Sequence, residues 1–176
     1  MILNIARTLG IAAALTFANA AVAQDSSENR VAANTDWAVY VESDPKECWA
    51  VSAPVETVNT RDGNVVTVRR GEIQMIVFYR PSENVSGQVM FAAGYPFASG
   101  STVSVKIGDT SYEMFTEGEF AWPASAEDDA KFVAAMKRGA DAVLTGRSGR
   151  GTQTQDTFSL LGFTAAVDEA ASQCAS

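Results

Sequence analysis

Two carboxylates flanking one glycine, Glu117-Gly118-Glu119, are the residues best suited by type and spacing to do chemistry in this chain. Residues two apart on one strand share a face and lie about 7 Å apart. Paired carboxylates at such a distance can work as general acid and base, as in glycosidases. The pair suits a polar strand edge equally well, and no catalytic residue is assigned from it. A second acidic group, Glu42, Asp44 and Glu47, surrounds Pro45. Calcium takes six to eight oxygens, but this spacing matches no EF-hand loop and reads as a solvated turn. No metal or other cofactor is expected.

Arg147-Ser148-Gly149-Arg150-Gly151 has the composition of an anion-binding loop. It lacks the Gly-x-x-x-x-Gly-Lys-Ser/Thr order and is not followed at once by a helix, which argues against a nucleotide site. Arg147 and Arg150 stand as candidates for contact with an anion or a partner. Trp122 lies beside Pro123 in an expected loop and is the aromatic candidate for partner contact. Trp37 and Trp49 fall at expected inward strand positions. With Tyr95 and Phe97 they read as core before they read as an exposed platform.

The chain has no histidine. That removes Ser-His-Asp and Cys-His nucleophile pairs, histidine metal sites, and any side chain with an unperturbed pKa near neutrality. An enzyme built on this sequence would need carboxylates, Lys, Tyr or a bound metal.

The elements that must position these residues are mostly short strands. Trp37, Val39 and Val41 alternate, then Trp49, Val51, Ala53 and Val55, with Cys48 pointing the other way. Asp62-Gly63 marks a turn, and strands are expected over Val65 to Arg70, Ile73 to Arg80 and Gln88 to Ala93. Ile76 and Phe78 opposite Met75 and Val77 suggest a central strand covered on both faces. Val103, Val105 and Ile107 alternate up to a Gly108-Asp109 hairpin loop. The chain then returns through Tyr112 and Met114. Ser125 caps an expected helix reaching Arg138, with Phe132, Val133 and Met136 on its buried stripe. Strands follow over Ala140 to Thr145 and Thr157 to Leu161. A last helix from Phe163 places Val167, Ala170 and Cys174 on one face. About eight short strands without β-α-β alternation predict a mainly β, antiparallel sandwich or barrel-like single domain, with two helices in its C-terminal half.

Residues 1–23 read as a cleavable secretory signal. Arg7 supplies the positive start, Leu9 to Ala18 the apolar stretch, and Ala21-Val22-Ala23 the cleavage site. The apolar run is shorter than the roughly 20 residues a membrane-spanning helix needs. Residues 24–35 read as a polar flexible leader and 36–176 as the single β-rich domain. Removal of the signal would leave 153 residues and take the basic count from 13 to 12 against 21 acidic residues, a net charge of −9. So acidic a body repels phosphate backbones and anionic headgroups, so neither nucleic acid nor a membrane surface is an expected partner, and no stretch after residue 23 is long and apolar enough for a membrane-spanning helix. Two cysteines in an exported chain, with no Cys-x-x-Cys, predict a structural Cys48–Cys174 disulfide. The expected location is the periplasm or the exterior.

Three segments resemble the invasion associated locus B family of exported bacterial proteins. They are Trp37-Ala38-Val39-Tyr40 leading to Cys48-Trp49-Ala50-Val51-Ser52-Ala53-Pro54, the stretch from Phe132 to Gly139, and Phe158-Ser159-Leu160-Leu161-Gly162-Phe163-Thr164-Ala165-Ala166. The last is the most specific. The resemblance implies a β-rich envelope or periplasmic protein, with a link to host-cell invasion in pathogens and no stated chemistry. Family members often carry further cysteines before the first helix; Glu117 to Trp122 here contains none. The expected function is non-catalytic binding of an envelope or host component. The alternatives are a periplasmic hydrolase using Glu117 and Glu119, or a small-molecule binder with an internal cavity.

Overall fold

The structure, a computed structural model, describes residues 29–175. The expected signal segment and cleavage site lie outside the described residues. The described residues form twelve strands, with alternate residues buried most clearly in β3, β8, β11 and β12: β1 (Arg30–Asn34), β2 (Trp37–Ser43), β3 (Lys46–Ser52), β4 (Glu56–Arg61), β5 (Asn64–Val65), β6 (Gln74–Arg80), β7 (Val85–Ala92), β8 (Thr102–Ile107), β9 (Thr110–Glu117), β10 (Phe120–Trp122), β11 (Asp141–Arg147) and β12 (Gln153–Ser159). Two helices, α1 (Ala126–Met136) and α2 (Phe163–Ala175), complete the described chain, with a 3-10 turn at Pro81–Glu83.

All pairings are antiparallel, in the order β1-β2-β3-β6-β7-β10-β9-β8-β11-β12-β4-β5. The fold is mainly β with two C-terminal-half helices, as the patterning implies. The sheet does not close into a barrel: among the described residues β1 and β5 each pair on one side only. It does coil upon itself, so that Phe91 of β7 meets Phe158 of β12 edge-on at 6.0 Å. One apolar core results, with Trp37, Phe91, Phe132, Phe158 and Phe163 among its largest fully buried side chains.

Each helix covers a part of the sheet that strands leave open. Helix α2 lies on β1, β2, β3 and β6. The Cys48–Cys174 disulfide, closing a sequence separation of 126, fastens its last turn to β3. Phe163 at its start packs edge-on against Trp37 at 4.8 Å. Helix α1 lies on β7, whose outer side is only partly paired because β10 is three residues long. Ser125 caps α1 by accepting a hydrogen bond from the Asp128 N–H, and Phe132 and Met136 are buried beneath it.

Four local expectations are corrected. Arg30–Asn34, placed in the flexible leader, pairs with β2 as the first strand. In β3 the buried face is Cys48, Ala50 and Ser52, and Trp49 stands on the outer face, stacked on Tyr40 at 5.7 Å. Residues 66–73 are irregular and are not the expected strand. Gly146 and Arg147 belong to β11, so the glycine-rich loop shrinks to a short turn after Ser148.

Candidate anion-binding cleft

The irregular segment between β5 and β6 carries Val68, Arg69, Arg70 and Gly71. It is docked by contact between two glycines. The Gly71 N–H donates to Gly94 O at 2.8 Å, and a Cβ on Gly94 would sit 2.6 Å from Gly71 O. Only an absent side chain allows so close a backbone approach.

Arg70 points inward from this segment. Its guanidinium forks onto Asp156, Nη1 to Oδ1 and Nη2 to Oδ2, each at 2.7 Å, while Nε donates to Ala93 O at 2.9 Å. The two side chains are 5% and 0% exposed. Thr57 Oγ1 donates to the same carboxylate at 2.9 Å. The guanidinium also lies 4.9 Å from the centre of the Tyr95 ring. Tyr95 in turn shares a 2.6 Å hydrogen bond with Thr154 Oγ1. Burial pushes its phenol above the ordinary value, against the opposing pull of Thr154 and Arg70. Gly146 makes room for this ring: a Cβ there would meet the Tyr95 hydroxyl and Phe97 at 2.9 Å.

Around this buried frame lies a cleft of about 600 Å³. Arg61, Arg69 and Arg150 reach it from three separate segments: the end of β4, the β5–β6 connection and the β11–β12 turn. All three are exposed. The Arg61 Nη2 donates to Thr152 Oγ1 at 2.7 Å, which steadies one guanidinium. Val68, Tyr95 and Pro96 supply apolar lining, and Ser148, Thr152 and Thr154 supply hydroxyls. Among the described residues, no Asp or Glu lines it. Asp156 lies beneath, its charge held by Arg70. The cleft is therefore a positive spot on a chain of net charge −8.

The structure thus brings Arg150 together with Arg61, Arg69 and Arg70, and leaves Arg147 outside the cleft lining, exposed at the end of β11. Glu117 and Glu119 do not share a strand face. Glu117 ends β9 and Glu119 lies in the two-residue turn to β10, both exposed. Trp122 is half-buried on β10, 5.9 Å from the exposed Phe120 ring. It lines a shallow depression with Phe115 and Pro123, apart from the cleft. Glu42, Asp44 and Glu47 gather at the β2–β3 hairpin, where Glu47 meets Arg80 at 3.3 Å. No cluster of metal-ligating side chains occurs among the described residues. Arg61, Arg69 and Arg70 escaped the sequence reading. The only local signal was the Arg69-Arg70-Gly71 run, and reading it as a strand sends its two arginines to opposite faces.

Fold and site together define a disulfide-bridged, mainly β protein with an arginine-lined cleft on an acidic body. No described helix is long and apolar enough to cross a membrane. The chain belongs to the invasion associated locus B (IalB) protein family, whose profile matches residues 42–171. It is also similar to the crystal structure of invasion associated protein B from Bartonella henselae, with a TM-score of 0.57 and 15% identity. That match covers 82% of this chain and 98% of that one. At such identity the likeness speaks for the fold alone. No curated protein matches the chain significantly.

Proposed function

We propose that this chain is an exported protein of the cell envelope that works by binding a partner, with the arginine-lined cleft as its binding site. The observation that carries this reading is the convergence of Arg61, Arg69, Arg70 and Arg150 on one concavity with no lining carboxylate among the described residues, in a chain of net charge −8. Guanidinium groups present several N–H donors in a fixed fork, and oxyanions are what that fork matches. Export is supported by the family, by the signal-like residues 1–23 and by the Cys48–Cys174 disulfide, which belongs to an oxidising compartment. The partner is an envelope or host component bearing negative charge. Trp122, with Phe115 and Phe120, offers a separate apolar contact for a protein surface. The alternative of a hydrolase gains no support from Glu117 and Glu119, which stand in water on a hairpin turn.

The test is crosslinking of the tagged protein in intact cells, comparing wild type with Arg69→Glu/Arg150→Glu and with Arg147→Glu. A dominant partner that is lost with the double variant and kept with Arg147→Glu is the expected result. Recovery that ignores both changes would remove the cleft from the proposal.

A further inference from the structure

We propose that the ligand of this cleft is a compact phosphate or sulfate ester, whose tetrahedral oxyanion sits among Arg61, Arg69 and Arg150. This rests on the reading of the cleft as the binding site and adds its ligand class.

Three observations lead there. First, the guanidinium groups come from three separate segments and enclose the site from different directions. A planar carboxylate is saturated by one or two forks, whereas a tetrahedral oxyanion has oxygens to offer to three. Second, the frame around the site is set before any ligand arrives. Arg70 is locked on Asp156, Arg61 is steadied by Thr152, and the β11–β12 turn is closed by Ser148 N–H to Thr152 O at 2.9 Å and Thr152 N–H to Ser148 Oγ at 3.2 Å. Arg69 and Arg150 have no ion-pair partner among the described residues. Prior ordering lowers the entropic cost of capture. Third, Val68, Tyr95 and Pro96 line the same space, so the cleft has a surface for a carbon skeleton as well as for charge. A volume of about 600 Å³ suits a metabolite-sized ester.

The acidic body decides between compact and extended ligands. A polymer of phosphates or an anionic bilayer would meet the acidic surface beyond the cleft and be repelled by it. A small ester inside the cleft feels chiefly the nearby arginines, since exposed charges beyond about 10 Å are screened at moderate salt.

The experiment is titration calorimetry on the whole purified protein, with glucose 6-phosphate, glucose 6-sulfate and citrate as probes. Sedimentation with phosphatidylglycerol vesicles runs alongside. Saturable binding of at least one ester is expected, weakened about tenfold or more by Arg69→Gln or Arg150→Gln, unchanged by Arg147→Gln, and weakened by salt. Phosphate and sulfate separate by pH. The phosphate ester gains affinity as its second ionisation near pH 6 is passed, and the sulfate ester does not. No ester binding at millimolar concentration, citrate binding ahead of both esters, or binding to vesicles alone would each overturn the ligand assignment. The two proposals fail separately. If the crosslinked partner still vanishes with Arg69→Glu/Arg150→Glu while no ester binds, only the ligand class falls. If neither responds, the cleft falls with it.

Discussion

Arg70 and Asp156 form a two-pronged ion pair at 2.7 Å in the floor of the cleft, with side chains 5% and 0% exposed. The pair joins the irregular β5–β6 segment to β12, elements that are distant in sequence and make no strand ladder with each other. It also holds the charge of Asp156 against Arg70, beneath the arginines of the cleft.

Losing one partner of such a pair leaves a buried charge uncompensated, which costs about 3–5 kcal/mol. Arg70→Met and Asp156→Leu are each expected to lower stability by that order. The double variant should lose much less than their sum, because neither charge then remains. Urea unfolding of the four proteins measures the coupling. Additive losses would show that the pair does not act as a unit.

The Cys48–Cys174 bridge ties the C-terminal helix to β3 across a separation of 126 residues. In the chain-entropy model so long a loop stabilises by roughly 5 kcal/mol, and removal of a native bridge typically costs 2–5 kcal/mol. Cys48→Ala/Cys174→Ala should fall in that range, with α2 losing amide-exchange protection before the β8–β9 hairpin does. A variant as stable as wild type would mean that the apolar contacts of α2 suffice without the bridge.

Gly162 gives the most specific family-like segment a structural meaning. Its φ is +88°, and a Cβ there would lie 1.9 Å from Asn34 O. The flanking residues hold the same junction: Trp37 Nε1 donates to Ser159 O at 2.9 Å, and the Asp36 N–H donates to Leu161 O at 3.3 Å. The segment docks α2 onto the β1–β2 hairpin, which gives it a structural role. Gly162→Ala should cost several kcal/mol. Gly100→Ala is the comparison, with φ +69° and nothing near its Cβ, and should cost about 1–2 kcal/mol for the backbone conformation alone. Equal losses in thermal or urea melts would show that the Asn34 contact relaxes freely.

The legible parts of this fold are those where one face is buried and the partner is near in sequence. Val103, Val105 and Ile107 are buried as their alternation demands, and Gly108-Asp109 forms the two-residue turn. The apolar stripes of both helices read correctly for the same reason. In β3 the alternation was visible but its direction was misread. Large Trp49 faces outward because Tyr40 stacks on it, and small Cys48, Ala50 and Ser52 face inward because α2 presses close. Size alone cannot choose a face when a helix leaves space only for small residues. The cleft was legible only at Arg150, through its glycine-rich neighbours. Its other arginines depend on the Gly71–Gly94 contact and the Arg70–Asp156 pair, long-range relations that leave no periodicity to detect.

Asp129 provides a pH-dependent test of the α1–β7 junction. Its side chain is nearly buried, and its Oδ1 accepts the Val89 N–H at 2.8 Å, on the stretch of β7 that β10 is too short to pair. Burial raises its pKa above the ordinary 3.8. The Val89 hydrogen bond opposes the rise, and the charge of Asp128 adds to it. A carboxyl whose folded pKa exceeds its unfolded pKa stabilises most when protonated. Its contribution is greatest below the unfolded value, declines as pH climbs from there through the raised folded value, and is level above. Each pKa unit of separation is worth about 1.4 kcal/mol. Asn at this position keeps an oxygen for the Val89 N–H and never ionises. Its extra N–H donors add an offset that does not depend on pH. The stability of Asp129→Asn relative to wild type should therefore rise with pH across that window and then flatten. Urea midpoints of both proteins from about pH 3.5 to 8 read this difference directly. A relative stability that falls with pH would mean that the Val89 hydrogen bond to the charged carboxylate outweighs its burial.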